Sequence, residues 1–120
     1  MSEKLRITQK ESGGIDLVAL AGEVDAESMN DFKELLSNLC TKRPVKAILD
    51  CRGVTHINYQ ALNLIKHYHR KAWINMGRLT IVGLKSSLVR SAKSYQVDHG
   101  KIFDATIDDA LAEIKTLIYT

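Results

Sequence analysis

The run Val45–Asp50, VKAILD, limits what this chain can fold into more than any other segment. It is short, apolar and β-branched, the pattern of a strand with both faces covered. A similar run, Arg78–Leu84 (RLTIVGL), returns after a helix-length amphipathic stretch. Strands separated by helical segments pair in parallel through crossovers, and those crossovers are right-handed. The chain is therefore an α/β fold with a mostly parallel sheet and helices packed on it.

The remaining segments extend this pattern. In KLRITQKE, Leu5 and Ile7 alternate with Arg6 and Thr8, as in a half-buried strand. The glycines of SGG supply a turn, and IDLVALAGEV is the second strand of a hairpin. DAESMNDFKELLSNLCTKR is a helix with Met29, Phe32, Leu36, Leu39 and Cys40 on one face, Asp25 as N-cap, Lys42 and Arg43 at its end, and Pro44 closing it. A loop through Val54–Asn58 is expected to lead into a second helix, from about Tyr59 to Asn75. Its inner stripe is Ala61, Leu62, Ile65, Tyr68, Ala72, Trp73 and Met76. Its outer face is basic (Lys66, His67, Arg70, Lys71), and Gly77 is its C′ residue. KSSLVRSAKSYQV is a short helix with Leu88, Val89, Ala92 and Tyr95 inward. KIFDA is a short last strand. TIDDALAEIKTLIY is a final helix with Thr106 as N-cap and the stripe Ile107, Ala110, Leu111, Ile114, Leu117 and Ile118. The order is ββαβαβαβα, with about five strands and four helices. Residues 1–120 show no linker, repeat or low-complexity stretch and are expected to be one domain.

Charge and cysteine content narrow the classes of function. The formal net charge is +3, with the bases read as spread along the chain and alternating with acids, so no nucleic-acid patch is expected. Cys40 and Cys51 fit neither a disulfide scaffold nor a metal spacing. The N-terminus has no apolar leader and no run is long enough to span a bilayer, so a cytoplasmic protein without direct membrane insertion is expected.

No catalytic or metal constellation is legible, and neither enzyme activity nor a cofactor is expected. His67 and His69 are two apart on a helix, where zinc ligands would be four apart, and read as surface or half-buried residues. His56 is near Tyr59 and is either functional or a strand-end residue. Cys51 lies where ligands gather in open sheets, but free cysteine is usually a small buried hydrophobe. Asp25 and Asp50 both follow strands; capping and loop hydrogen bonding fit them better than a carboxylate pair. GLKSS carries Ser86 and Ser87 from a strand into a helix, and either serine is expected as N-cap rather than anion site. The basic face of the second helix is either solvated or a docking surface for an acidic partner.

Four segments, in order, resemble the STAS domain of bacterial anti-sigma factor antagonists and sulphate transporters. VALAGEVDAES resembles its Leu-x-Gly-x-Leu/Val-Asp stretch, with Leu20, Gly22, Val24 and Asp25 in register. AILDCRGVTHIN resembles its apolar strand followed by Asp-x-x-x-Val-x-x-Ile-Asp. GRLTIVGLKSSLVRSAKSYQV resembles its Gly-x-x-Leu-x-Leu-x-Gly strand and following helix. KIFDATIDDALAEI resembles its closing Ile-Phe and helix.

The resemblance implies function by binding rather than catalysis. The expected partner is a histidine-kinase-like ATPase acting as anti-sigma factor and serine kinase, or another regulatory complex. In the family that kinase phosphorylates a Ser or Thr at the start of the second helix, and the added charge ends the contact. The family motif there is Asp-Ser/Thr-Ser/Thr-Gly-Leu. Aligned on Leu62, this chain has Asn58, Tyr59, Gln60 and Ala61 instead. Asn58 keeps the capping ability, whereas the Tyr59 hydroxyl stands too far out for a site shaped around Ser or Thr. The implied surface is Asp25, His56, Asn58, Tyr59, Gln60, Ala61 and the Ser86–Ser87 turn, not switched by Ser or Thr phosphorylation at that loop. The alternatives are a subunit of an ABC-type transport complex and a sensor of a nucleotide or lipid.

Overall fold

The computed structural model describes residues 3–42, 44–94, 103–104 and 106–116. The elements are β1 (Arg6–Ser12), β2 (Ile15–Val24), α1 (Met29–Leu39), β3 (Lys46–Ile57), α2 (Tyr59–Ile74), β4 (Arg78–Val82), α3 (Ser86–Ser94), β5 (Phe103–Asp104) and α4 (Ile107–Thr116), in the expected order. The sheet has five strands in the order β1-β2-β3-β4-β5. β1 is antiparallel to β2, and the other neighbours are parallel. Gly13 and Gly14, both at positive φ, close the hairpin in two residues. Arg43, Lys101, Ile102, Ala105, Leu117, Ile118 and the inward placements expected for Ala92 and Tyr95 lie outside what is described.

This strand order places the helices. Each parallel strand lies beside the one before it, so successive right-handed crossovers put the connecting helices on one face. There α1 and α2 bury Phe32, Leu35, Leu36, Leu39, Leu62 and Ile65 against Val18, Leu20, Val24, Leu49, Cys51 and Ile57. The other face receives α4, whose Ala110 and Ile114 meet Ile15, Ile48 and Val82 in a second, smaller core. α4 begins as expected, with the Thr106 hydroxyl accepting from the Asp109 N–H at 3.1 Å. It packs on β3, β4 and β5, which leaves Thr8, Lys10, Ala19 and Arg52 bordering an open groove of about 370 Å³ on that face.

Several expectations are corrected. β3 does not end at Asp50. It continues to Ile57, and the stretch expected to be a loop pairs with β2 as Gly22↔Val54, Glu23↔His56 and Val24↔Ile57. Backbone pairing, absent from side-chain hydropathy, carries it through the polar residues.

α1 starts at Met29 with Ser28 in the cap position, rather than at Asp25. On α2, Trp73 and Met76 are not inside: Trp73 is 43% and Met76 73% exposed, while His69 is buried at 3%. Burial of His69 is tolerated because its Nδ1–H donates to the Leu79 carbonyl at 2.9 Å. His69 and Trp73 lie one turn apart on the same face, their rings 5.9 Å from centre to centre, with the imidazole inside and the indole at the half-exposed end.

The C′ residue of α2 is Met76, at φ +64°, not Gly77. The Gly77 N–H donates to the Ala72 carbonyl at 2.8 Å and the Met76 N–H to that of Trp73 at 3.1 Å, a Schellman closure. Gly77 is needed one position later, where a Cβ would collide with the Val45 backbone.

The charge is also not evenly mixed. Residues 51–94 contain none of the 14 acidic residues of the chain, yet hold Arg52, Lys66, Arg70, Lys71, Arg78, Lys85, Arg90 and Lys93. Acids and bases are interspersed before residue 51 and again from Asp98 to Lys115.

Candidate functional site

Two strand ends meet beside each other. β2 finishes at Val24 and β3 at Ile57, paired in parallel, so the next residues, Asp25 and Asn58, leave the sheet side by side. The Asn58 N–H donates to the Val24 carbonyl at 3.0 Å, fixing the start of α2 to the end of β2.

Each exit is built by local hydrogen bonds. Asp25 caps the tight turn before α1 rather than the helix: its Oδ1 accepts from the N–H groups of Glu27 (3.1 Å) and Ser28 (3.2 Å). The Ser28 hydroxyl accepts from the Asp25 N–H at 2.9 Å and donates to the Glu23 carbonyl at 3.1 Å. Ser28 is a site-building residue that the sequence reading missed. Its signal was the Asp-x-x-Ser spacing after a strand, a side-chain turn pattern. Beside it, Glu3, Lys4, Asp25, Glu27 and Asp31 border a hollow of about 250 Å³, an acid-rich rim.

At the other exit Asn58 is extended (φ −84°, ψ 167°), and its Oδ1 accepts the Ala61 N–H at 2.9 Å, the expected N-cap. Ala61 is fully buried under this bond, so only a small residue fits there. Tyr59 is the first residue of α2 and is 61% exposed, with Gln60 exposed beside it. His56 is exposed on β3 opposite Glu23, a strand residue before the junction.

The other candidates separate from this place. Ser86 and Ser87 follow β4, whose last pair is Val82↔Asp50; β3 runs seven residues further before reaching Ile57. They open α3 as its first two residues, both exposed, and the Leu88 and Val89 N–H groups donate to the Lys85 carbonyl, so neither serine holds the N-cap position.

Asp50 does not pair with Asp25. Arg52 grips it with Nε to Oδ1 at 2.9 Å and Nη2 to Oδ2 at 2.7 Å, and these bonds hold the Asp50 carboxyl below its ordinary pKa.

Cys51 is 1% exposed, and burial, aided by the Asp50 charge, pushes its thiol up to about 12. It is a core residue and not a nucleophile at neutral pH. His67 is exposed and His69 buried, and among the described residues no group of three or more His, Cys, Asp or Glu could hold a metal. No described helix is long and apolar enough to cross a membrane.

The comparisons with known proteins bear on the fold and the family. A family model described as the STAS domain matches residues 6–113. An anti-sigma factor antagonist from Mycobacterium paratuberculosis superposes with a TM-score of 0.81 at 17% identity, covering 96% of this chain and 99% of that one. The phosphorylated form of the Bacillus cell fate determinant SpoIIAA gives a TM-score of 0.67 at 13% identity over 91% of this chain and 99% of that one. A murine anion transporter of the solute carrier 26 family gives 0.67 at 13% identity over 89% of this chain but 18% of its own length. No curated protein sequence matches. At these identities the superpositions speak for the fold.

Proposed function

The chain belongs to the STAS domain family, and we propose that it acts there as a non-catalytic module that binds a regulatory protein through the junction of β2 and β3 with α2. The observation that carries this reading is Tyr59. A 61% exposed aromatic ring stands on the first turn of a helix whose start is pinned by the Asn58 cap and by the bond to Val24. A rigidly mounted, exposed aromatic residue is the usual anchor of a protein contact.

The contact surface comprises Asp25, Asn58, Tyr59 and Gln60, with Ala61 beneath as the small residue that lets the helix seat and His56 at its margin. Ser86 and Ser87, which open α3 beyond the shorter strand β4, lie apart from this surface. The partner class is a histidine-kinase-like anti-sigma factor or another regulatory complex, in the cytoplasm. With Tyr59 where the family carries a phosphorylatable Ser or Thr, the contact is not switched by Ser or Thr phosphorylation at this loop. Residues 1–120 work as one unit.

The test is affinity capture from native cytosol with wild type, Tyr59→Ala and Tyr59→Asp, read by mass spectrometry. Wild type is expected to retain a regulatory ATPase that both variants lose, while the thermal midpoints stay within the small range of surface substitutions. Equal capture by all three proteins would remove this surface from the reading. Capture of a transporter ATPase instead would move the module to a transport assembly.

A further inference from the structure

Large apolar side chains are exposed at two places among the described residues. One is Tyr59. The other is the end of α2 and its turn, where Trp73 is 43%, Ile74 71% and Met76 73% exposed. Ile74 lies four residues after Arg70 and three after Lys71, so it continues the exposed basic stripe of that helix. The Arg78 guanidinium stacks 3.6 Å above the Trp73 ring, adding a cation at the indole. No acid occurs between residues 51 and 94; Glu113 of α4 pairs with Arg78 at 3.7 Å, so the exposed positive charge of this end rests on Arg70 and Lys71.

Met76 breaks a local rule here. It takes the left-handed C′ position that glycine fills most cheaply, and its side chain projects into solvent. No burial within the domain offsets either cost.

We propose that the carboxyl end of α2 docks peripherally on an anionic lipid surface. A lipid interface matches each feature. Isoleucine and methionine enter the acyl boundary, the indole sits at headgroup level, and the cations meet anionic headgroups. Protruding apolar side chains enter a fluid boundary without a complementary pocket, which an acidic protein would have to supply. The orientation is also consistent with a free contact surface. The 16 residues of α2 span about 24 Å, so docking at its carboxyl end holds Tyr59 and the acid-rich rim away from the lipid.

The test is co-sedimentation of the full chain with vesicles of phosphatidylcholine alone and of phosphatidylcholine with phosphatidylglycerol. Emission from Trp73, the single tryptophan, is followed in parallel. Binding to the anionic vesicles only, with a blue shift of the emission and loss on raising salt from about 0.1 to about 0.5 M, is expected. Arg70→Gln with Lys71→Gln should lower partitioning about 25-fold, at roughly fivefold per cation. Met76→Gly should weaken partitioning while raising the thermal midpoint, so a folding defect cannot explain the loss. Tyr59→Ala should bind vesicles as wild type does, which keeps this proposal separate from the protein contact. Absence of anionic vesicle binding at low salt would overturn the proposal, as would binding unchanged by these α2 variants. Capture of an acidic protein through this patch without vesicle binding would overturn it too.

Discussion

At the scale of single residues, burial decides which reactive groups this chain can use. Cys51 stands at a place in the sheet where a nucleophile would be suspected, yet its thiol is enclosed at 1% exposure and lifted to about 12. At pH 8 roughly one such thiol in ten thousand is ionised, and the thiolate is the reactive form. Cys40 is half-buried; burial raises it as well, against a smaller opposing effect from Lys71. Native protein treated with a thiol reagent at pH 8 should label slowly at Cys40 and not at Cys51, with both reacting after denaturation. In Cys40→Ser, native labelling should vanish; prompt labelling of Cys51 would show that β3 opens. At the proposed contact surface the Asn58 cap and the small Ala61 were legible in the sequence, whereas whether Tyr59 faces solvent or packs back under His56 was not, and the structure leaves it exposed. Ser28 was not singled out, because a serine three residues after an aspartate becomes significant only when the turn brings its hydroxyl to Glu23.

At the scale of elements, the start of α2 depends on one side chain. The helix has no acidic residue in its first turn to favour its dipole, so the Asn58 carboxamide is its main local anchor. Asn58→Ala should cost about 1 kcal/mol in urea unfolding, whereas Asn58→Asp, which keeps an accepting oxygen, should stay near wild type. An equal loss in both variants would mean that the amide, not the cap, matters. Element type was readable from periodicity throughout, but ends and faces were less so. β3 outran its apolar core because parallel pairing with β2 uses main-chain groups that every residue carries. At the end of α2 Ala72 is inside as expected, but Trp73 is not, while His69, one turn earlier on the same face, is buried because the Leu79 carbonyl satisfies it.

At the scale of the whole molecule, the sheet divides the interior unequally. The face carrying α1 and α2 holds most of the buried apolar residues, and the face under α4 holds Ile15, Ile48, Val82, Ala110 and Ile114. A small core has few neighbours able to close a cavity, so Ile114→Ala, at a fully buried position, should cost about 2–5 kcal/mol in denaturant unfolding. A loss below about 1 kcal/mol would mean that α4 contributes little to the fold. The alternation of strand and helix patterns by itself determined the α/β class and the order of elements, because hydrophobic periodicity and chain handedness are local properties carried by consecutive residues; the family was legible only through the four segments that resemble the STAS domain. Tertiary structure alone decided that Asp25 and Asn58 leave the sheet together while Ser86 and Ser87 open a helix lower on it. It also decided that an apolar, basic corner faces solvent at the far end of α2. Those outcomes depend on strand register and on which face of a helix meets its neighbour, and both are set by contacts between residues distant in sequence.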